Sequence, residues 1–134
     1  MSVVREAMVS DPPTLGVSES VQEAGKALAR PEVRAVFVCD GDRFVGVVTR
    51  KTLVREVVAN GRDPSATPVG EIAEPPHWTI DASTAVEDAF RFMEEKDAER
   101  VPVVEGDRLV GVLSRSGLQR RLAEDEPPSS PSDR

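Results

Sequence analysis

Two stretches of the chain carry the same pattern of apolar and polar positions. In the first, Val21, Ala24, Ala27 and Leu28 recur at helical spacing, and Ser20-Val-Gln-Glu23 has the spacing of a capping box. In the second, Val86, Ala89, Phe90 and Met93 do the same, and Thr84-Ala-Val-Glu87 opens the helix. Both faces are predicted to be core. A short extended piece precedes each helix, Thr14-Leu15 or Thr79-Ile80, following the proline pairs Pro12-Pro13 and Pro75-Pro76, which push preceding residues away from helix. Two β-rich runs follow each helix, residues 35–39 and 44–48 in one case and 101–104 and 109–113 in the other. Asp40-Gly41-Asp42 and Glu105-Gly106-Asp107 join them as tight hairpins, with glycine supplying a positive φ. A closing helix is predicted near Thr52 and again near Ser116.

The two stretches are one repeat. Gly46 recurs as Gly111, an offset of 111 − 46 = 65 residues, and the same shift carries Val21 onto Val86, Ala24 onto Ala89 and Arg50 onto Arg115. Gly41-Asp42-Arg43 and Val45-Gly46-Val47 return as Gly106-Asp107-Arg108 and Val110-Gly111-Val112. The predicted fold class is therefore α/β, two βαββα-type repeats at residues 4–58 and 69–122. Neither unit is large enough to bury its sheet alone, so the two are expected to pack about a pseudo-twofold axis. Residues 59–68, rich in Gly, Pro and Asn, read as a linker. Residues 123–134 have no apolar side chains beyond Ala123 and proline, and read as a disordered acidic tail.

Charge removes several functions. The 134 residues carry 17 Lys and Arg against 24 Asp and Glu, a formal net charge of −7, so broad nucleic-acid binding through a basic face is not expected. No apolar run approaches the roughly 18 residues of a membrane span, and residues 1–8 lack a signal-peptide core, so a cytoplasmic protein is expected. The chain has one cysteine, Cys39, and one histidine, His77, which excludes an intramolecular disulfide or a self-contained Cys/His zinc site. Cys39 ends the apolar run Val36-Phe37-Val38 and reads as a structural thiol. No nucleophile–base pair or metal set has a workable spacing, so an enzyme is not expected and no cofactor is required.

Taken in order, Pro12-Pro13-Thr14-Leu15, Val21-Gln22-Glu23-Ala24 and Gly46-Val47-Val48-Thr49, followed by Val86-Glu87-Asp88-Ala89, Pro102-Val103-Val104 and Gly111-Val112-Leu113-Ser114, resemble a tandem cystathionine-β-synthase (CBS) domain pair, or Bateman module. The likeness covers nearly everything between Val4 and Leu122. It implies a regulatory module that senses an adenosine-containing metabolite, an adenine nucleotide or S-adenosylmethionine, in clefts between the repeats. By that resemblance one site would combine Thr14, Ala35 and Val36 with Ser114 and Arg115. The other would combine Trp78, Thr79, Arg100 and Val101 with Thr49 and Arg50. With no effector domain in the chain, a sensor built on it is expected to act on a partner protein and, as such modules commonly do, to form a homodimer. The alternative is a ligand-free dimerisation or protein-interaction module.

The chemistry of the residues bears on that reading. Thr49 and Ser114 fall between a strand and a helix, where a hydroxyl and free backbone N–H groups suit a phosphate. Arg50 and Arg115 beside them supply charge-assisted bonds in a chain whose overall field repels anions. The competing reading makes the hydroxyls helix caps and the arginines solvated surface. The family's helix-start motif ends in an aspartate resembling a ribose clamp, and here that place holds Thr52 in one copy and Gly117 in the other. Thr52 is therefore the neutral candidate for a ribose bond. Trp78 has two readings, stacking on a purine at the cleft mouth, or packing at an oligomer surface or over the sheet.

Overall fold

The computed structural model describes residues 2–125. In chain order the elements are β1 (Val9–Ser10), β2 (Thr14–Gly16), α1 (Val21–Leu28), β3 (Val36–Asp40), β4 (Arg43–Val48), α2 (Arg50–Leu53), β5 (Ile80–Asp81), α3 (Val86–Glu95), β6 (Arg100–Glu105), β7 (Arg108–Ser114) and α4 (Arg115–Asp125). Both repeats are βαββα and the fold is mixed α/β. α2 passes directly into a π-helical stretch, Val54–Val58. Two compact units result, one of Asp11–His77 with Gly106–Leu109, the other of the segment up to Ser10, Trp78–Glu105 and Val110 onward.

In the first unit β2 runs parallel to β3 and β3 antiparallel to β4, with a register shift between Val38 and Cys39. Asp40 pairs with Arg43 across a two-residue turn, and Gly41 sits at φ 61°, where a side chain would be strained. The helical face predicted from spacing is buried at Val21, Ala24 and Leu28 against Val36, Val38 and Val48, with Ala27 only partly covered. In the second unit β5 runs parallel to β6, and β6 and β7 are neighbours in strand order. There Val86, Ala89 and Met93 pack on Val101, Val103 and Leu113, and Phe90 is partly buried. The turn between β6 and β7, with Gly106 at φ 63°, belongs to the first unit. The closing helices start at Arg50 and Arg115, slightly earlier than the spacing predicted. α4 also runs on to Asp125, so residues 123–125 of the expected acidic tail are helical. The remainder of that tail lies outside the described residues.

The leading segment of each repeat is built into the unit of the other. Val4, fully buried, belongs to the core formed by Ile80, Val86, Met93 and Leu113. Its repeat equivalent Val69, also fully buried, belongs with Ile72 to the core of Val21, Leu28 and Val36. The main-chain bonds repeat as well. Val4 N–H donates to Thr84 O at 2.8 Å and Arg5 N–H to Ala82 O at 3.1 Å. One offset later, Val69 N–H donates to Glu19 O at 2.7 Å and Gly70 N–H to Val17 O at 3.0 Å.

Neither predicted capping box forms. Ser20 is the N-cap of α1 but its side chain makes no capping bond, and α3 begins after Ala85 rather than at Thr84. Instead the orphan N–H of Val21 is taken by the Thr67 carbonyl at 2.8 Å, and that of Val86 by the Ser2 carbonyl at 3.1 Å. Those bonds serve the first N–H of each helix; the N–H that a Ser20 capping box would use, that of Glu23, goes to the Ser20 carbonyl at 3.0 Å. The expected linker is therefore docked: the Pro64 carbonyl accepts from Gln22 N–H at 3.0 Å, and Thr67 is buried, its hydroxyl donating to Asp63 O at 2.7 Å.

The recurring strand glycines have their cause here. Val47 and Glu74 form an antiparallel bridge, as do Val9 and Val112. A Cβ on Gly46 would sit 2.7 Å from the Glu74 carbonyl oxygen, and one on Gly111 would sit 2.8 Å from that of Val9. Backbone cannot yield as a side-chain tip can, so glycine is what lets each leading segment lie against its strand.

Candidate functional site

Strand register gathers the candidates of each repeat at one end of its sheet. In the first unit Thr14 pairs with Phe37 and Val36 with Val48, so Thr14, Ala35, Val36 and the strand-ending Thr49 share that end. In the second, Ile80 pairs with Val103, which brings Thr79, Arg100 and Val101 to the corresponding end, while Ser114 ends β7. Val36 and Val101 are each 1% exposed, so both are core side chains with only main chain to offer a ligand. Thr14 is exposed and its hydroxyl donates to Pro12 O at 2.8 Å.

The corner after β4 is a closed hydroxyl pair beside an open arginine. Thr49 N–H donates to Thr52 Oγ1 at 3.1 Å, Thr52 N–H to Thr49 Oγ1 at 3.4 Å, and Thr52 Oγ1 donates to Glu74 Oε1 at 3.1 Å. Arg55 pairs with the same Glu74 oxygen. Thr52 is 2% exposed, so the hydroxyl considered for a ribose is spent inside the protein, fixing the Thr49 cap. Arg50 is exposed and its guanidinium donates to the Arg30 carbonyl at 2.8 Å. Among the described residues it has no ion pair.

The corner after β7 differs in charge. Ser114 Oγ accepts from Gly117 N–H at 3.0 Å, and a Cβ on Gly117 would lie 2.8 Å from that oxygen. Arg115 N–H donates to Glu99 O at 2.9 Å, and its guanidinium pairs with the Glu99 carboxylate and, at 3.3 Å, with Asp97 Oδ1. The hydrogen bond to Glu99 raises the Arg115 pKa above the ordinary arginine value. Sequence reading missed Glu74, Asp97 and Glu99. The first has no local signal, but setting the repeats side by side exposes the last, because Arg34 stands where Glu99 does.

Trp78, 39% exposed, meets Phe92 edge-on with centroids 6.3 Å apart. Next to it Thr79, Asp81, Thr84, Asp88 and Phe92 line a shallow depression of about 230 Å³. Asp81 there accepts from the Ser83 hydroxyl and N–H, and these bonds lower its pKa. Cys39 is half-buried; desolvation, with Asp42 adding repulsion, raises its pKa and keeps the thiol protonated, as a structural cysteine requires. Among the described residues no cluster of three or more His, Cys, Asp or Glu is placed to hold a metal ion, and no helix is long and apolar enough to cross a membrane.

Known proteins share this pattern along most of the chain. Hypoxic response protein 1 of Mycobacterium tuberculosis is 30% identical over 125 residues, covering 92% of this chain and 87% of the relative. A crystal structure of Hypoxic Response Protein I with two coordinated zinc ions superposes with a TM-score of 0.75 at 28% identity, covering 90% of this chain and 99% of that one. A crystal structure of CBSX2 in complex with AMP has a TM-score of 0.72 at 25% identity, covering 92% and 98% of the two chains. The family profile of the CBS domain matches twice, at residues 4–59 and 69–124, so the chain belongs to the CBS-domain family as a tandem pair.

Proposed function

We propose that this chain is a regulatory module that binds an adenosine-containing metabolite, an adenine nucleotide or S-adenosylmethionine, through the Thr49–Arg50 corner, and that it signals to a partner protein as a homodimer. The AMP complex of CBSX2, similar along 92% of this chain, supports the ligand class. The observation that carries the choice of corner is the state of the two equivalent arginines: among the described residues Arg50 bonds only a carbonyl oxygen, whereas Arg115 is already bonded to carboxylates. An anion reaching Arg50 exchanges a neutral acceptor for a charged one, and charge-assisted bonds are the stronger kind.

Calorimetric titration of AMP and ATP into wild type, Arg50→Ala and Arg115→Ala tests this. Arg50→Ala is expected to weaken binding ten- to hundredfold, since a hydrogen bond to a charged group contributes roughly 1.5–3 kcal/mol. Arg115→Ala is expected to leave affinity within a fewfold. A larger loss on Arg115→Ala contradicts the assignment.

A second reading, a ligand-free dimerisation or interaction module, is favoured by Val54 and Val58. They stand four residues apart on the π-helical stretch, 60% and 71% exposed. Two apolar side chains so placed suit a protein partner.

A further inference from the structure

The two repeats provide an internal control for what surrounds an arginine at a strand end. Arg50 and Arg115 are the same repeat position, each preceded by a hydroxyl residue. Around Arg115 the chain supplies two anions to one cation: Asp97 and Glu99 both reach its guanidinium. The equivalent positions in the first repeat are Glu32 and Arg34. Glu32 is engaged elsewhere, with Arg30 at 2.7 Å, and Arg34 reverses the charge of Glu99. The turns behind the two helices differ as well. Asp97 sits at φ 52° after α3, a left-handed conformation that aspartate tolerates, whereas Glu32 adopts no positive φ.

Resting on the reading above that the chain binds an adenylate, we infer that Glu99 closes the Ser114–Arg115 corner to phosphate-bearing ligands, so that the chain takes one such ligand, through Arg50, instead of two. The carboxylate occupies the guanidinium in the manner of a ligand anion. Because it is tethered, it competes at an effective concentration on the order of millimolar or above. A phosphate arriving there must displace Glu99 and then lie beside two unpaired carboxylates, a like-charge arrangement. At the first corner it meets Arg50, which has no such competitor among the described residues. The side chains of Glu99 and Asp97 are 72% and 91% exposed, against 23% for Arg115, so the carboxylates can be exchanged without disturbing the core.

Equilibrium dialysis with AMP and ATP counts the sites. Wild type is expected to bind one nucleotide per chain. Glu99→Arg, which copies the first repeat, is expected to bind two, with the affinity of the original site unchanged and the melting temperature preserved. The reciprocal Arg34→Glu is expected to weaken the Arg50 site about tenfold. Two sites in wild type, or one in Glu99→Arg, overturn the inference and leave the adenylate reading standing. No nucleotide bound by wild type or by Glu99→Arg overturns both.

Discussion

Replacing Val4 by aspartate is expected to destabilise the protein by about 3–5 kcal/mol, the size of a buried charge left without a partner. Natural domains are only about 5–15 kcal/mol stable, so this is a large fraction of the total. The location of the damage is what distinguishes the fold. Val4 is in the first repeat by sequence, yet it is buried among Ile80, Val86, Met93 and Leu113. Hydrogen exchange read by mass spectrometry should show protection lost first in α3 and β6. Val69→Asp should loosen α1 and β3 first, because Val69 packs on Val21, Leu28 and Val36. Loosening of α1 and β3 by Val4→Asp would contradict the exchange of leading segments.

Leu28→Ala and Met93→Ala, the same position in the two repeats, are each expected to cost about 2–5 kcal/mol, as cavity-forming truncations of buried side chains do. Leu28 is 2% exposed and Met93 is 0%. Unlike the valines, each acts within its own repeat: Leu28 lies in the core around Val36 and Val38, Met93 in the core around Val101 and Val103. Chemical denaturation gives the loss of stability, and hydrogen exchange assigns it to a unit. A loss below 1 kcal/mol at either position would show that the helical face is not the core face.

What the sequence carried was local. Apolar spacing placed Val21, Ala24 and Leu28, and again Val86, Ala89 and Met93, on buried faces, and the hairpin glycines took the positive φ their turns demand. Periodicity is silent about which copy of a core a segment enters, since Val4 and Val69 look alike in either arrangement. Nor does spacing reveal that the carbonyls of Ser2 and Thr67, distant in sequence, meet the first N–H of α3 and α1. At the candidate corners, residue type identified Thr49, Arg50, Ser114 and Arg115, but not their occupancy. Whether a hydroxyl or a guanidinium is available depends on Glu74 and Glu99, which approach from 22 and 16 residues away. Only the comparison of Arg34 with Glu99 gave a sequence trace of that difference.

The central claim, that the folded chain binds an adenosine-containing metabolite, is tested most directly by thermal melts of the wild-type protein with AMP, ADP, ATP and S-adenosylmethionine at millimolar concentration. A ligand that binds only the native state stabilises it by about 2.7 kcal/mol at a hundred times its Kd. At least one adenosyl compound is expected to raise the midpoint in a saturable, concentration-dependent way, while adenine-free controls such as ribose 5-phosphate do not. A midpoint unmoved by all four would contradict the account and leave the exposed Val54–Val58 face of an interaction module as the better reading.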